Sequence, residues 1–277
     1  MAKRSPKRDK LEAVVRSRPR ALVAFSGGVD STLLLKICAD VLGPANVTAV
    51  TGVSETYTPE EKRAAGRVTR GLGVRHIILE TDELACAAFA ANPADRCYHC
   101  KRELFTKIAE LARSLGVDAV YDASNVDDLA DYRPGRRATE ELGIASPLVE
   151  AGFTKKDIRS LSKKLGLPSW DKPANPCLAS RIPYGIPITP EILERVWAGE
   201  KFLRGLGFPV VRLRHHGDLA RIEVPAGDLA RLIKPATARR VAAKLRSLGY
   251  LWVAADVEGY RMGSLNQAVP ARRTGGR

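Results

Sequence analysis

Apolar residues in the first half of the chain fall in short blocks, each followed by a stretch with helical spacing. The blocks are residues 21–25 (Ala-Leu-Val-Ala-Phe), 47–53 (Val-Thr-Ala-Val-Thr-Gly-Val), 75–80 (Arg-His-Ile-Ile-Leu-Glu) and 117–122 (Val-Asp-Ala-Val-Tyr-Asp). Helical patterns lie between them at about 31–42, 59–72 and 99–115. Strands separated by helices of this length predict an α/β fold with a parallel, doubly wound sheet. A further helix is expected over 154–165, with Thr154 as its cap. A Pro-rich stretch from Gly166 to Pro190 follows, and beyond it the pattern changes. Helix 190–206, strands 209–215 and 219–224, helices 227–234 and 237–248 and a strand near 251–256 read as a smaller C-terminal α+β domain, with Gly217-Asp218 as a hairpin turn. The expected organisation is a basic tail (1–17), an α/β domain (18–170), a linker loop (171–188), the small domain (189–262) and a C-terminal tail (263–277).

Composition narrows the class. The 277 residues are 45% hydrophobic, enough for a sizeable core. No apolar run approaches the roughly 20 residues of a membrane span. The start, Met1 to Lys10, is basic with no apolar segment behind it, so no signal peptide is expected and a cytoplasmic protein is. The formal net charge of +14 favours polyanionic ligands such as nucleotides, phosphates or RNA, although an Arg-rich surface accounts for the same number. Five cysteines, an odd number, argue against a disulfide framework. Cys38 lies in the apolar periodicity of the first helix and reads as core, as does Cys86 in its Ala-rich stretch.

The strand-to-helix junction Ser26-Gly27-Gly28-Val29-Asp30-Ser31 has the makings of a phosphate cradle. Glycines let the backbone turn tightly beside an anion, and the unpaired N–H groups of the following helix point at it. Ser26 and Ser31 add hydroxyl donors, whereas Asp30 repels phosphate unless Mg²⁺ lies between them. The run lacks the Gly-Lys-Ser/Thr of a Walker loop and the Gly-x-Gly-x-x-Gly of a dinucleotide fingerprint. After the fourth strand, Asn125 and Asp128 in Asp122-Ala-Ser-Asn-Val-Asp-Asp128 suit a nucleotide and its metal, or simply an Asx-rich turn. Arg133 offers a bidentate fork for phosphate, or belongs to a surface turn at Pro134-Gly135. Cys97-Tyr-His-Cys100 opens a helix, a setting that favours thiolate. A redox pair, a zinc site completed by His99 or Cys177, and an iron–sulfur cluster held by Cys97, Cys100 and Cys177 all remain open. Cys177 itself sits in an irregular loop bounded by prolines and Gly185, four residues before Arg181.

The glycine run resembles the pyrophosphate loop of the ATP pyrophosphatase (PP-loop) superfamily, whose members cleave ATP to AMP and pyrophosphate and adenylate a substrate. Five segments together resemble the LarE family: Ala24–Ser31, Asp95–Lys101, Asn125–Gly135, Pro176–Gly185 and Arg212–Val224. The likeness spans about residues 20–255, and the Cys177 loop discriminates most. It implies an ATP-dependent sulfur transferase that turns carboxylates of pyridinium-3,5-biscarboxylic acid mononucleotide into thiocarboxylates, for the nickel-pincer cofactor of lactate racemase. It implies Cys177, with Ser180 and Arg181, as the catalytic group. ATP and pyrophosphate would meet Ser26, Gly27, Gly28, Asp30, Ser31, Asn125, Asp128 and Arg133. Arg212 and Arg214 would take the substrate phosphate, Asp30 would hold Mg²⁺, and Glu200 and Glu223 a further divalent metal. Some members sacrifice the cysteine sulfur; others carry three cysteines and a 4Fe–4S cluster that relays sulfide, and Cys97, Cys100 and Cys177 point to the second type. Sulfide or a sulfur donor and a homo-oligomer, a hexamer in related members, are the implied partners, with no membrane and no nucleic acid. The rival is a tRNA thiolase of the same superfamily.

Overall fold

The structure, a computed structural model, describes residues 5–117, 119–129, 134–173, 175–261 and 263–265. These divide into two units, one of residues up to Glu83 together with Asp95–Asn175, the other of Leu84–Ala94 together with the chain from Pro176 onward.

The first unit contains α1 (Pro6–Arg16), β1 (Ala21–Ala24), α2 (Val29–Leu42), β2 (Val47–Val53), α3 (Pro59–Gly71) and β3 (Arg75–Glu80). The short α4 (Ala87–Ala90) falls in the second unit, after which α5 (Arg96–Ser114), β4 (Ala119–Tyr121), α6 (Gly135–Glu141), α7 (Pro147–Glu150) and α8 (Lys155–Lys164) complete the first. Its sheet runs β3-β2-β1-β4 with every pair parallel, as the strand–helix alternation predicts. β1 is central and buried on both faces, which is why it reads as an unbroken apolar block rather than an alternating one. One face packs on Leu33, Leu34, Ile37 and Phe153. The other packs on Phe105 and Ile108 of α5. Cys38 is fully buried in the first of these cores, as expected, and burial pushes its thiol pKa up.

The expectation of a basic tail over 1–17 is corrected by α1. Ser5 caps it by accepting from the Arg8 N–H, and Pro6 opens it. Leu11 and Val15, one helical turn apart, are fully buried, while Lys7, Lys10 and Arg16 around them are exposed and hide the apolar stripe from a composition-based reading. Thr154 caps α8 as expected, in a reciprocal box with Asp157.

The second unit contains α9 (Pro190–Gly205), β5 (Arg212–His216), β6 (Leu219–Glu223), α10 (Ala226–Leu232), α11 (Pro235–Ser247) and β7 (Trp252–Ala255). β5 and β6 are antiparallel through the Gly217-Asp218 turn, with Gly217 at φ 64°, and β7 joins β6 in parallel. Leu203, Phe208, Leu213, Ile222, Leu245 and Tyr250 form its core. Residues 84–94 enter this unit through Asn92, a buried residue at φ 57°. Its side-chain amide donates to the carbonyls of Pro183 and Ile186, each at 2.8 Å, and its carbonyl accepts from the Gly185 N–H. The 18–170 span therefore gives up a segment to the smaller unit that no periodicity marks.

Candidate functional site

In the first unit, the loop from Phe25 to Gly28 carries the chain from β1 into α2. Gly27 stands at φ 69°, in the left-handed region. Gly28 is the N-cap and offers no side chain to the helix's first N–H groups, so these are left for a ligand. Ser26 Oγ and Ser31 Oγ lie 3.1 Å apart, and the Gly28 N–H donates to Ser26 Oγ at 3.3 Å.

Consecutive carbonyls of the loop are each occupied by a different part of the unit. Phe25 C=O accepts from the Thr51 hydroxyl at 2.6 Å, and Thr51 Oγ1 lies 2.8 Å from His76 Nε2. Because the one Thr51 proton goes to Phe25, His76 Nε2 is the donor in that contact. Ser26 C=O accepts from the Tyr57 hydroxyl at 3.2 Å, and Gly27 C=O from the Lys172 ammonium at 3.1 Å. With the oxygens tied back, the N–H side of the loop is the side presented to an anion. Asp30, in the first turn of α2, meets Lys155 Nζ with both carboxylate oxygens, at 2.6 and 2.7 Å. Strand spacing already puts Tyr57 at the carboxyl edge of the sheet with the glycine loop, whereas Thr51, His76, Lys155 and Lys172 were invisible to spacing, since each reaches the loop from a distant element.

After β4, Asp122 is buried and accepts from the hydroxyls of Ser124 and Ser146. Asn125 is buried too; its side-chain oxygen accepts from the Asp127 N–H, and its own N–H donates to Asp128 Oδ2. This is an Asx-type turn, and the same side chains border the α8 N-terminus, where Lys155 N–H donates to Asp127 at 2.7 Å. Arg133 lies outside the described residues.

Cys97 and Cys100 lie in the first two turns of α5, three residues apart and so on one face of the helix. Cys97 is exposed; Cys100 is half-buried, its thiol 3.7 Å from Glu83 Oε1. His99 lies 3.9 Å from Asp95. Among the described residues no three His, Cys, Asp or Glu side chains are gathered as a ligand set for a metal ion.

In the second unit Cys177 is exposed and precedes a single tight turn, Leu178–Arg181. Arg181 is 1% exposed. Its Nη1 donates to the carbonyls of Pro176 and of Cys177 and to Ser180 Oγ, while Nε and Nη2 grip Glu200 at 2.8 and 3.1 Å. Arg181 thus holds the backbone on both sides of Cys177 and presents the thiol rather than touching what it would react with. Glu200 is fully buried and also accepts from Arg204 and from the Leu213 N–H. Burial would raise its carboxyl, but Arg181, Arg212 and Arg204 hold it below the usual carboxylate range. Arg214 donates to Ser180 C=O at 2.9 Å and to Glu223 at 2.6 Å, and Glu223 also receives Arg221 and Ser264. The Nε of Arg214 is buried with no partner among the described residues. Arg212 is buried, its guanidinium 5.2 Å from the Tyr260 ring centroid; burial first and Arg181 second depress its pKa. Arg212 and Arg214, two apart on β5, therefore share a face with arginines in excess of carboxylates, while Glu200 and Glu223 both have guanidinium partners.

A fold of this kind, with a glycine loop leading from the central parallel strand into a helix, defines the PP-loop class. Consistent with it, the NAD synthase family model matches residues 8–129. An uncharacterized protein of Synechocystis sp. is 45% identical over 90% of this chain and 93% of its own. The pyridinium-3,5-bisthiocarboxylic acid mononucleotide synthase of Lactiplantibacillus plantarum is 40% identical over 97% of both chains. NH3-dependent NAD+ synthetases match only about half of the chain, that of Trichlorobacter lovleyi at 27% identity over 54% of it. The chain belongs to the LarE family of PP-loop proteins.

Proposed function

We propose that this protein is an ATP-dependent sulfur transferase that converts the carboxylates of pyridinium-3,5-biscarboxylic acid mononucleotide to thiocarboxylates, within nickel-pincer cofactor synthesis. The observation that carries it is the likeness to the bisthiocarboxylic acid mononucleotide synthase along nearly the whole of both chains. The site chemistry supports it. A carboxylate is a poor electrophile. Its oxygen attacks the α-phosphorus of ATP, pyrophosphate leaves, and an acyl adenylate results. The N–H groups opening α2, with Ser26 and Ser31, stabilise the charge on the departing pyrophosphate. Asp30 suits Mg²⁺ as a hard oxygen ligand once Lys155 releases it, and the ion when bound neutralises phosphate charge. Asn125 and Asp128 border the same strand ends and are assigned to the nucleotide, as is Arg133.

Where no cluster is bound, the Cys177 thiolate attacks the acyl carbon and AMP leaves, giving a thioester; cleavage of the Cys177 Cβ–S bond, with loss of the α-proton, leaves the thiocarboxylate and dehydroalanine. Ser180 and Arg181 hold the reacting loop, and Arg212 and Arg214 take the phosphate of the mononucleotide; the unpartnered Nε of Arg214 supports that role. Cys97, Cys100 and Cys177 are the thiols assigned to a 4Fe–4S cluster. The donor set fits in kind: none is in a disulfide, and two lie on one helix face. A bound cluster supplies a site for added sulfide, which spares Cys177. Glu200 and Glu223 fit a second metal less well than they fit the guanidinium groups they now meet. Thiols held reduced suit the cytoplasm; no helix among the described residues is long and apolar enough to cross a membrane.

The test is AMP release from ATP that depends on the mononucleotide, followed by mass spectrometry of Cys177 and iron and sulfide analysis after anaerobic preparation. Loss of the mass of H₂S at Cys177 marks sacrifice; an intact Cys177 over many turnovers marks relay. AMP release that needs tRNA instead of the mononucleotide would replace this reading with the tRNA thiolase.

A further inference from the structure

Two lysines reach the glycine loop, and they are differently engaged. Lys155 gives its charge to both oxygens of Asp30. Lys172 has no carboxylate partner among the described residues; its half-buried ammonium meets only Gly27 C=O, at 3.1 Å. An ammonium has three donors, and one carbonyl oxygen uses one of them. The loop itself, Ser26 to Ser31, has no cationic side chain, and its one ionisable group is an acid. Helix N–H groups alone offer the equivalent of roughly half a charge, against a strongly anionic pyrophosphate.

The backbone that carries Lys172 is held in place independently of the loop. Arg159 donates to Trp170 C=O at 2.8 Å and to Lys172 C=O at 2.9 Å. Asn175 donates to Glu61 at 2.7 Å, the same carboxylate that closes the capping box of α3. The Arg159 contacts therefore hold the Trp170–Lys172 backbone that delivers the ammonium to the mouth of the loop, with donors to spare.

We infer that Lys172 is a phosphate ligand of this loop, meeting the β- and γ-phosphates of ATP and the pyrophosphate that leaves, and so supplying the cation that other phosphate loops carry within their own sequence. The inference rests on the ATP-splitting function proposed above. The Gly27 carbonyl keeps the ammonium in place, and a phosphate offers it a charged acceptor instead.

Calorimetric titration of ATP, AMP and inorganic pyrophosphate into the wild-type protein and the Lys172→Met and Lys172→Arg variants tests this. Lys172→Met is expected to weaken pyrophosphate and ATP by roughly ten- to a hundred-fold, the range for a charge-assisted bond, while AMP binding holds. Lys172→Arg restores part of the loss. A purely structural role would weaken AMP equally, and that result overturns the inference. So does unchanged pyrophosphate binding in Lys172→Met. In the wild-type protein, where folding is not in question, pyrophosphate is expected to protect Lys172 from acetylation, read by mass spectrometry, and AMP is not; equal acetylation with and without pyrophosphate counts against the assignment. A wild-type protein that binds neither ATP nor pyrophosphate overturns the function reading and this inference together, whereas wild-type binding with an unaffected variant overturns the inference alone.

Discussion

Gly27 and Arg181 show how single positions hold the two halves of the chemistry. At Gly27 the φ of 69° is the constraint, because an added Cβ would meet Ala65 at an ordinary 3.6 Å. Gly27→Ala is therefore expected to cost roughly 1–2 kcal/mol through backbone strain alone and to weaken ATP binding, both readable from urea unfolding with and without nucleotide. Arg181 is different, since its removal leaves the fully buried Glu200 without its principal partner. Arg181→Met is expected to destabilise the protein by about 3–5 kcal/mol, and Arg181→Met with Glu200→Leu by much less, because the uncompensated charge is the damage. If the single variant unfolds at the wild-type urea midpoint, the buried pair has no such role. Gly27 was legible in the sequence because a glycine between a strand block and a helix has few other uses. The Arg181–Glu200 pair was not: both residues stood out singly, Arg181 beside Cys177 and Glu200 as a charged position, but nothing in a spacing of 19 says that they grip each other.

Elements were legible to the extent that their signals are local. The strands and the long helices fall within a few residues of where periodicity puts them, because alternation, caps and turn glycines act over one or two turns of chain. α1 escaped for the opposite reason, its two buried apolar positions being outnumbered by charge. Leu11→Ala is expected to cost about 2–5 kcal/mol, the usual range for a buried leucine, which a dispensable tail would not show in thermal unfolding. In the second unit, α9 lies so close to β5 that a Cβ at Gly199 would press on the Leu213 side chain and come within 3.0 Å of Leu245. Gly199→Ala is expected to lose about 1–3 kcal/mol by overpacking, whereas an exposed helical glycine would gain from the same change.

At the scale of the whole molecule, His76, His215 and His216 all have pKa values below the ordinary 6.5, chiefly through burial and then through Arg70, Arg195 and Arg221 respectively. The unfolded chain takes up protons at these sites as pH drops below 6.5, and the folded chain resists. Their contribution is thus full above that pH and is lost as pH falls through it toward the depressed values. Asp157, held near 2, acts only in far more acidic solution. The urea midpoint is expected to fall between pH 7.5 and 5.5, and His76→Gln to flatten the dependence; a midpoint that rises on acidification would contradict the assignment.

The sequence by itself determined the parallel sheet, the glycine loop after its first strand, the hairpin and the three cysteines on which sulfur chemistry is proposed, since these follow from local periodicity, backbone freedom and residue type. Tertiary structure alone decided that residues 84–94 join the second unit, that Lys155 neutralises Asp30 while Lys172 stands at the loop with donors in hand, and that Arg181 braces the backbone around Cys177. Those outcomes depend on which distant groups the folded path brings within 3 Å or so of each other, and a charge or an amide carries no record in the sequence of the partner it will meet.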